Sequence, residues 1–172
     1  MHPAVVEFCK EIKSKYPQHF LRKRVLDCGS LDINGNNRYL FDECEYTGID
    51  VGEGANVDSV SMIHEWDGEY DTIISTECFE HDAHLRESVS NIVRMLAPGG
   101  MFLFTCAGPG RPEHGTSRRN KRDAPLLKWE HYENVTEGMI SDLTDCLWPR
   151  EYRVVGKDLQ FYGIKPEEDH ES

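Results

Sequence analysis

Arg24-Val25-Leu26-Asp27-Cys28-Gly29 and, after a polar gap, Tyr46-Thr47-Gly48-Ile49-Asp50 are two short runs that each end on an acidic residue or a glycine. The first reads as a buried strand opening into a glycine-containing loop, Ser30 to Asn37. A short third strand falls around Val57 and Val60. Glu69 to Thr76 has a β-branched centre and predicts a fourth, and Met101 to Cys106 is an apolar strand of central-sheet type. Between these last two, Leu85, Val89, Ile92, Val93 and Leu96 recur with helical period until Pro98-Gly99-Gly100. An earlier helix places Val5, Cys9, Ile12 and Tyr16 on one stripe and stops near Pro17. Towards the C-terminus, Asn134 with Glu137 predicts a capped helix through Met139, Ile140 and Leu143. Tyr152–Val155 and Gln160–Ile164, joined by Gly156-Lys157-Asp158, read as a hairpin. Strands alternating with helices before a terminal hairpin specify an α/β sheet with helices on both faces, mostly parallel, with an antiparallel C-terminal edge. Ligands of such sheets bind beyond the carboxyl ends of the strands, which gathers Gly29, Asp50 and Thr76 around one crevice.

The 172 residues fit one domain, expected over 1–165, followed by an acidic tail over 166–172 with Glu167, Glu168, Asp169 and Glu171. Nineteen basic against 31 acidic side chains give a net charge of −12, which argues against wrapping nucleic acid by phosphate neutralisation. The sign reverses locally between Gly108 and Lys128, where Arg111, Arg118, Arg119, Lys121, Arg122 and Lys128 face only Glu113 and Asp123. No apolar run approaches the roughly 20 residues of a bilayer span, and the first 15 residues lack the uncharged stretch of a signal peptide. A cytoplasmic location is therefore expected. Six scattered cysteines without a C-x-x-C pair read as reduced thiols.

At the crevice, Gly29 lets the backbone approach a ligand without a β-carbon in the way, and Asp50 can accept two hydrogen bonds from ribose hydroxyls. A nucleoside fits that chemistry. The competing possibility is that Asp27 and Asp50 only satisfy backbone N–H groups at strand ends. The loop Gly29-Ser30-Leu31-Asp32-Ile33-Asn34-Gly35 is not G-x-G-x-x-G, which disfavours a nicotinamide-dependent oxidoreductase.

Four segments in order resemble the class I S-adenosylmethionine-dependent methyltransferases: Val25-Leu26-Asp27-Cys28-Gly29, Gly48-Ile49-Asp50, Tyr70 to Ser75 with Glu77 to His81, and Leu96-Ala97-Pro98-Gly99-Gly100. The resemblance implies S-adenosylmethionine as cofactor. Asp27, Gly29 and Ser30 would line its methionine part, with the carboxylate near N–H groups at a helix start. Asp50 would hold the ribose, with Val51, Met62 and Ile63 about the adenine, and Ser75, Thr76 and Glu77 would close the site. In relatives an acidic residue after the third strand holds the adenine amino group; if that position falls at Met62, the contact is missing.

Methyl transfer from a sulfonium needs alignment above all, and a hydroxyl acceptor also needs a base. His81, after the fourth strand, is the candidate base, with Glu80 beside it. Glu77-x-x-Glu80-His81 resembles the metal motif of ubiquinone-pathway O-methyltransferases and of small-RNA 3′-terminal 2′-O-methyltransferases. That likeness implies a divalent ion on Glu77, Glu80 and His81, with His114 as a further ligand; alternatively Glu80 only caps the following helix. Arg111 and His114 lie in a loop of alternating glycines and prolines that suits a substrate lid. The expected acceptor is a small polar molecule, oxygen favoured over nitrogen, bound by this chain alone or with a protein partner or second copy. The rival expectation is a non-catalytic S-adenosylmethionine-binding module or the partner subunit of a methyltransferase complex.

Overall fold

The computed structural model describes residues 2–167, so the expected acidic tail at 166–172 is covered only at Pro166 and Glu167 and otherwise lies outside the described residues. Helix α1 spans Pro3–Lys15 and α2 spans Leu85–Met95; the strands are β1 Arg24–Cys28, β2 Glu45–Asp50, β3 Ser59–Val60, β4 Tyr70–Thr76, β5 Leu96–Ala107, β6 Arg150–Val155 and β7 Asp158–Ile164. They form one sheet of order β3-β2-β1-β4-β5-β7-β6. All pairs from β3 to β5 are parallel, and β7 runs antiparallel to both β5 and β6. Alternation along the strands divides the core in two. Val25, Ile74, Met101 and Leu103 meet Val5, Phe8, Cys9 and Ile12 of α1 on one face. Leu26, Ile73, Phe102 and Phe104 meet Leu85, Val89, Ile92 and Met95 of α2 on the other.

Three local outcomes differ from expectation. The connection from β1 to β2 contains no α-helix, only a 3-10 turn at Arg38–Leu40, so the helix start expected to receive the cofactor carboxylate is absent. The helix expected from Asn134 is two 3-10 turns, Glu137–Met139 and Ser141–Leu143. Val135 gives its N–H to the Ala107 carbonyl at 2.8 Å, and Gly138 weakens the next turn, so the chain is held extended where a helix would nucleate. The Pro98-Gly99-Gly100 turn lies inside β5, not before it: Tyr70 pairs with Leu96 and Thr72 with Met101, leaving Ala97–Gly100 as an outward irregularity. All six cysteines are free thiols. Among the described residues, no helix is long and apolar enough to cross a membrane.

Candidate active site

A cavity of about 470 Å³ opens at the carboxyl ends of β1, β2 and β4 and is roofed by the chain after β5. Asp27, Gly29, Ser30, Asp50, Thr76 and Glu77 all border it from below, and Arg111 and His114 from above. Val51, Met62 and Ile63 line a smaller adjoining hollow that shares Gly29, Asp50 and His81. A larger groove of about 970 Å³ runs along the outer side of α2 and touches neither strand-end carboxylate. Ser75 borders neither cavity: its hydroxyl is buried and donates to the Cys28 carbonyl at 2.9 Å, because inward alternation on β4 turns it into the sheet.

The cradle departs from a glycine-rich phosphate-type loop. Gly29 has φ +78°, and a Cβ there would stand 2.5 Å from Cys78 Sγ, so the glycine is demanded first by the protein's own turn and neighbour. The N–H groups of Gly29 and Ser30 both donate to the Ile49 carbonyl, at 2.9 and 3.0 Å, and the Leu31 N–H donates to Asp50 Oδ2 at 3.0 Å. Ser30 Oγ donates to the Asn56 carbonyl. These donors are already engaged, which corrects the expectation that backbone N–H groups here receive a carboxylate.

Asp50 accepts from Leu31 and from its neighbour Val51 (2.7 Å), as the competing possibility held, yet each carboxylate oxygen keeps a second acceptor position for a ribose hydroxyl. Burial pushes its carboxyl up, opposed by those two donors. Asp27, only 1% exposed, serves no backbone group among the described residues: Tyr46 donates its phenol to Oδ2 and Asn37 Nδ2 donates to Oδ1 at 3.2 Å. Burial raises it to about 6 despite those bonds. Asn37 also reaches Thr76 Oγ1 and leaves its own Oδ1 without a partner among the described residues. Nothing in the local sequence singles out Asn37; the loop after β1 folds it back onto Asp27, where the pairing of β1 with β4 has also placed Thr76. Asp32 and Arg38 brace the loop: Asp32 accepts from Gly35 and Asn36, and Arg38 holds Asn56 and Asp58.

Glu77 and Glu80, expected to act together, are separated. Glu77 has φ +55°, a left-handed turn that swings its side chain away from the following residues. Its carboxylate accepts from Arg111 at 3.1 Å and Thr105 at 3.2 Å and lies 3.3 Å from His2. Burial pushes its pKa up, but His2 and Arg111 outweigh this and leave it lowered. Arg111 also clasps Asp158 at the start of β7. His2 and Asp158 carry no signal in the sequence for this meeting.

Glu80, 0% exposed, instead groups with His81 and His114, with ligand atoms within 4.8 Å of one another. Neither Glu80 oxygen has a hydrogen bond among the described residues; His114 Nε2 stands 3.5 Å off, and that carboxylate raises the imidazole's pKa. His81 is 5% exposed, and burial lowers its pKa. Its Nδ1 lies 3.4 Å from the His131 carbonyl, which can only accept, so Nδ1 carries the proton and Nε2 keeps a lone pair with no partner. His84 is turned away and stacks on His64 at 4.2 Å between ring centres. In the basic cluster, Arg118 is engaged by Glu113 and Lys121 by the Leu127 carbonyl.

Solved structures share this fold. A 1,6-didemethyltoxoflavin N1-methyltransferase from Burkholderia thailandensis, with bound S-adenosylhomocysteine, matches 96% of this chain and 79% of its own at 16% identity and TM-score 0.66. Phosphoethanolamine N-methyltransferase 2 from Haemonchus contortus, in complex with S-adenosylmethionine, matches 92% of this chain at 16% identity and TM-score 0.65, and the chain spans 52% of its length. The N-methyltransferase NodS from Bradyrhizobium japonicum, with S-adenosylhomocysteine, matches 96% of this chain and 89% of its own at 20% identity and TM-score 0.61. No curated protein matches the sequence. A family model described as a methyltransferase domain matches residues 5–155, from α1 through β6. The chain therefore belongs to the methyltransferase domain family.

Proposed function

We propose that this chain, acting as one domain over residues 1–165, transfers the methyl group of S-adenosylmethionine to a small polar acceptor, with a hydroxyl favoured over an amine. The observation that carries the preference is the His81 Nε2 lone pair, buried beside the cavity and without a partner among the described residues. In the reaction the acceptor oxygen attacks the methyl carbon, the sulfur–methyl bond breaks to give S-adenosylhomocysteine, and the acceptor proton passes to His81 Nε2. The pKa lowered by burial keeps that nitrogen free near neutral pH. Asp50 would grip the ribose, Asp27 and Asn37 the methionine ammonium, and Arg111 with His114 would bound the acceptor. The solved structures above are N-methyltransferases by name, so an amine acceptor is the second reading.

A divalent ion would be the alternative use of the same lone pair: Glu80, His81 and His114 offer two imidazoles and a carboxylate whose oxygens lack hydrogen bonds among the described residues, and an ion held there would occupy His81 Nε2 and replace His81 as the group that activates the hydroxyl. It would supply positive charge that acidifies a bound hydroxyl. Glu77, committed to Arg111, His2 and Thr105, does not belong to this set.

Calorimetry with S-adenosylmethionine and S-adenosylhomocysteine, followed by transfer assays on panels of alcohols and amines, tests the function. Binding of both and methylation of an alcohol are expected; binding of neither removes the proposal, and binding without transfer to any acceptor favours the non-catalytic module. The His81→Gln variant should lose about 10²–10⁴ in kcat while keeping its affinity for S-adenosylhomocysteine. The wild-type acid limb of kcat should fall below the ordinary imidazole value of 6.5. For the ion, magnesium or manganese should raise the melting temperature of wild type and not of Glu80→Ala.

A further inference from the structure

The hollow that adjoins the main cavity beside Asp50 has Met62, Ile63, Leu127 and Trp129 among its walls. Asp82 stands in its wall, between it and the outer groove along α2. Only 8% of Asp82 is exposed. Its Oδ1 accepts the His84 N–H at 2.8 Å, whereas Oδ2 is buried and has no hydrogen-bond partner among the described residues. A buried carboxylate oxygen without a donor is costly, so a ligand that brings an N–H to it gains what the protein itself leaves unmade.

A purine is the group that matches these surroundings: its flat faces suit the aliphatic and indole walls, and one edge of adenine carries an exocyclic amino group. We propose that Asp82 accepts the adenine amino group of the cofactor, in place of the carboxylate that Met62 cannot provide, and so selects adenine over a base with oxygen at that position. The inference rests on S-adenosylmethionine binding in the adjoining cavity. The backbone fixes Asp82 from both sides, since its N–H donates to the Phe79 carbonyl at 3.1 Å and its Oδ1 caps the approach to α2. The hollow, about 50 Å³, shares Gly29, Asp50, Cys78, His81 and Leu127 with the 470 Å³ cavity, so the base would lie across the junction of the two with its amino edge towards Asp82. Trp129 is tied to the same wall through its Nε1 bond to the His81 carbonyl at 3.1 Å.

The His84 N–H also makes the proposal testable. An Asn at this position would keep its oxygen on His84 and present its amide N–H₂ where Oδ2 now lies. That group opposes the amino group of adenine and suits the oxygen of hypoxanthine. Affinities for S-adenosylhomocysteine and its deaminated analogue S-inosylhomocysteine should be measured for wild type, Asp82→Asn and Asp82→Ala. Wild type should prefer the adenosyl compound by about ten- to a hundredfold, the size of one hydrogen bond to a charged group. Asp82→Asn should collapse or invert that ratio, and Asp82→Ala should bring it close to one. A partly unfolded variant lowers both affinities and leaves their ratio intact, so the ratio isolates the contact. An unchanged preference in Asp82→Asn, with both ligands bound, overturns the assignment of Asp82 alone. Failure of wild type to bind S-adenosylhomocysteine overturns the function on which it rests.

Discussion

Replacing Asp27 by Asn should change stability in a pH-dependent way, with the variant gaining on wild type as pH rises from acid to neutral. Asp27 sits inside the sheet with a carboxyl raised by burial from 3.8 to about 6. A raised acid stabilises the fold fully below the unfolded value and loses that contribution as pH climbs through the folded one. The gap from 3.8 to about 6 corresponds to about 3 kcal/mol, at about 1.36 kcal/mol for each tenfold change. Wild type should therefore lose about 3 kcal/mol between about pH 4 and pH 7 that Asp27→Asn does not lose. Asn also meets the Tyr46 and Asn37 donors differently, but that offset is the same at every pH and leaves the slope untouched. Urea unfolding of both proteins across this range is the assay; with m of about 2 kcal/mol per M, the midpoints should separate by about 1.5 M more at pH 7 than at pH 4. Saturating S-adenosylhomocysteine should flatten the wild-type slope, because a ligand ammonium beside Asp27 pulls its pKa down, and Asp27→Asn should bind that ligand more weakly. A difference between the two proteins that stays constant to within about 0.5 kcal/mol from acid to neutral pH would refute the reasoning.

The Gly29→Ala variant should lose about 2–5 kcal/mol in denaturant unfolding, from a side chain at φ +78° and a Cβ 2.5 Å from Cys78 Sγ; a loss under about 0.5 kcal/mol sinks this account. Arg111→Met leaves Glu77 and Asp158 facing one another with only His2 between them. Its stability should drop by about 2–4 kcal/mol at pH 7, and the loss should shrink only as pH falls below 4.5 through the lowered value of Glu77; a loss that does not change down to the acid end rules out the electrostatic origin.

The sheet was legible because its strands announce themselves locally. Thr72-Ile73-Ile74 is the β-branched centre of β4, Met101 to Cys106 is apolar or β-branched throughout, and Leu85, Val89 and Ile92 repeat at helical spacing. Asp27, Gly29 and Asp50 came with them, since a strand end is a place that the sequence marks. What the sequence does not mark is who arrives from elsewhere. Asn37 reaches Asp27 through the fold of the loop after β1, and Asp158 reaches Arg111 because β7 lies beside β5. Val135 is drawn out of a helix by a carbonyl 28 positions earlier, which no local capping pattern registers. Glu77 and Glu80 look like partners at a spacing of three, and one left-handed residue is enough to send them to different clusters.

The missing helix between β1 and β2 leaves the rim of the crevice resting on separate props: Asp32 on Gly35 and Asn36, Arg38 on Asn56 and Asp58. A repeating ladder fails or holds as a whole, whereas props can be exchanged one at a time. The entrance contour can thus be re-cut by single substitutions while the floor keeps its shape, which makes this stretch the natural place to retune ligand preference by directed evolution.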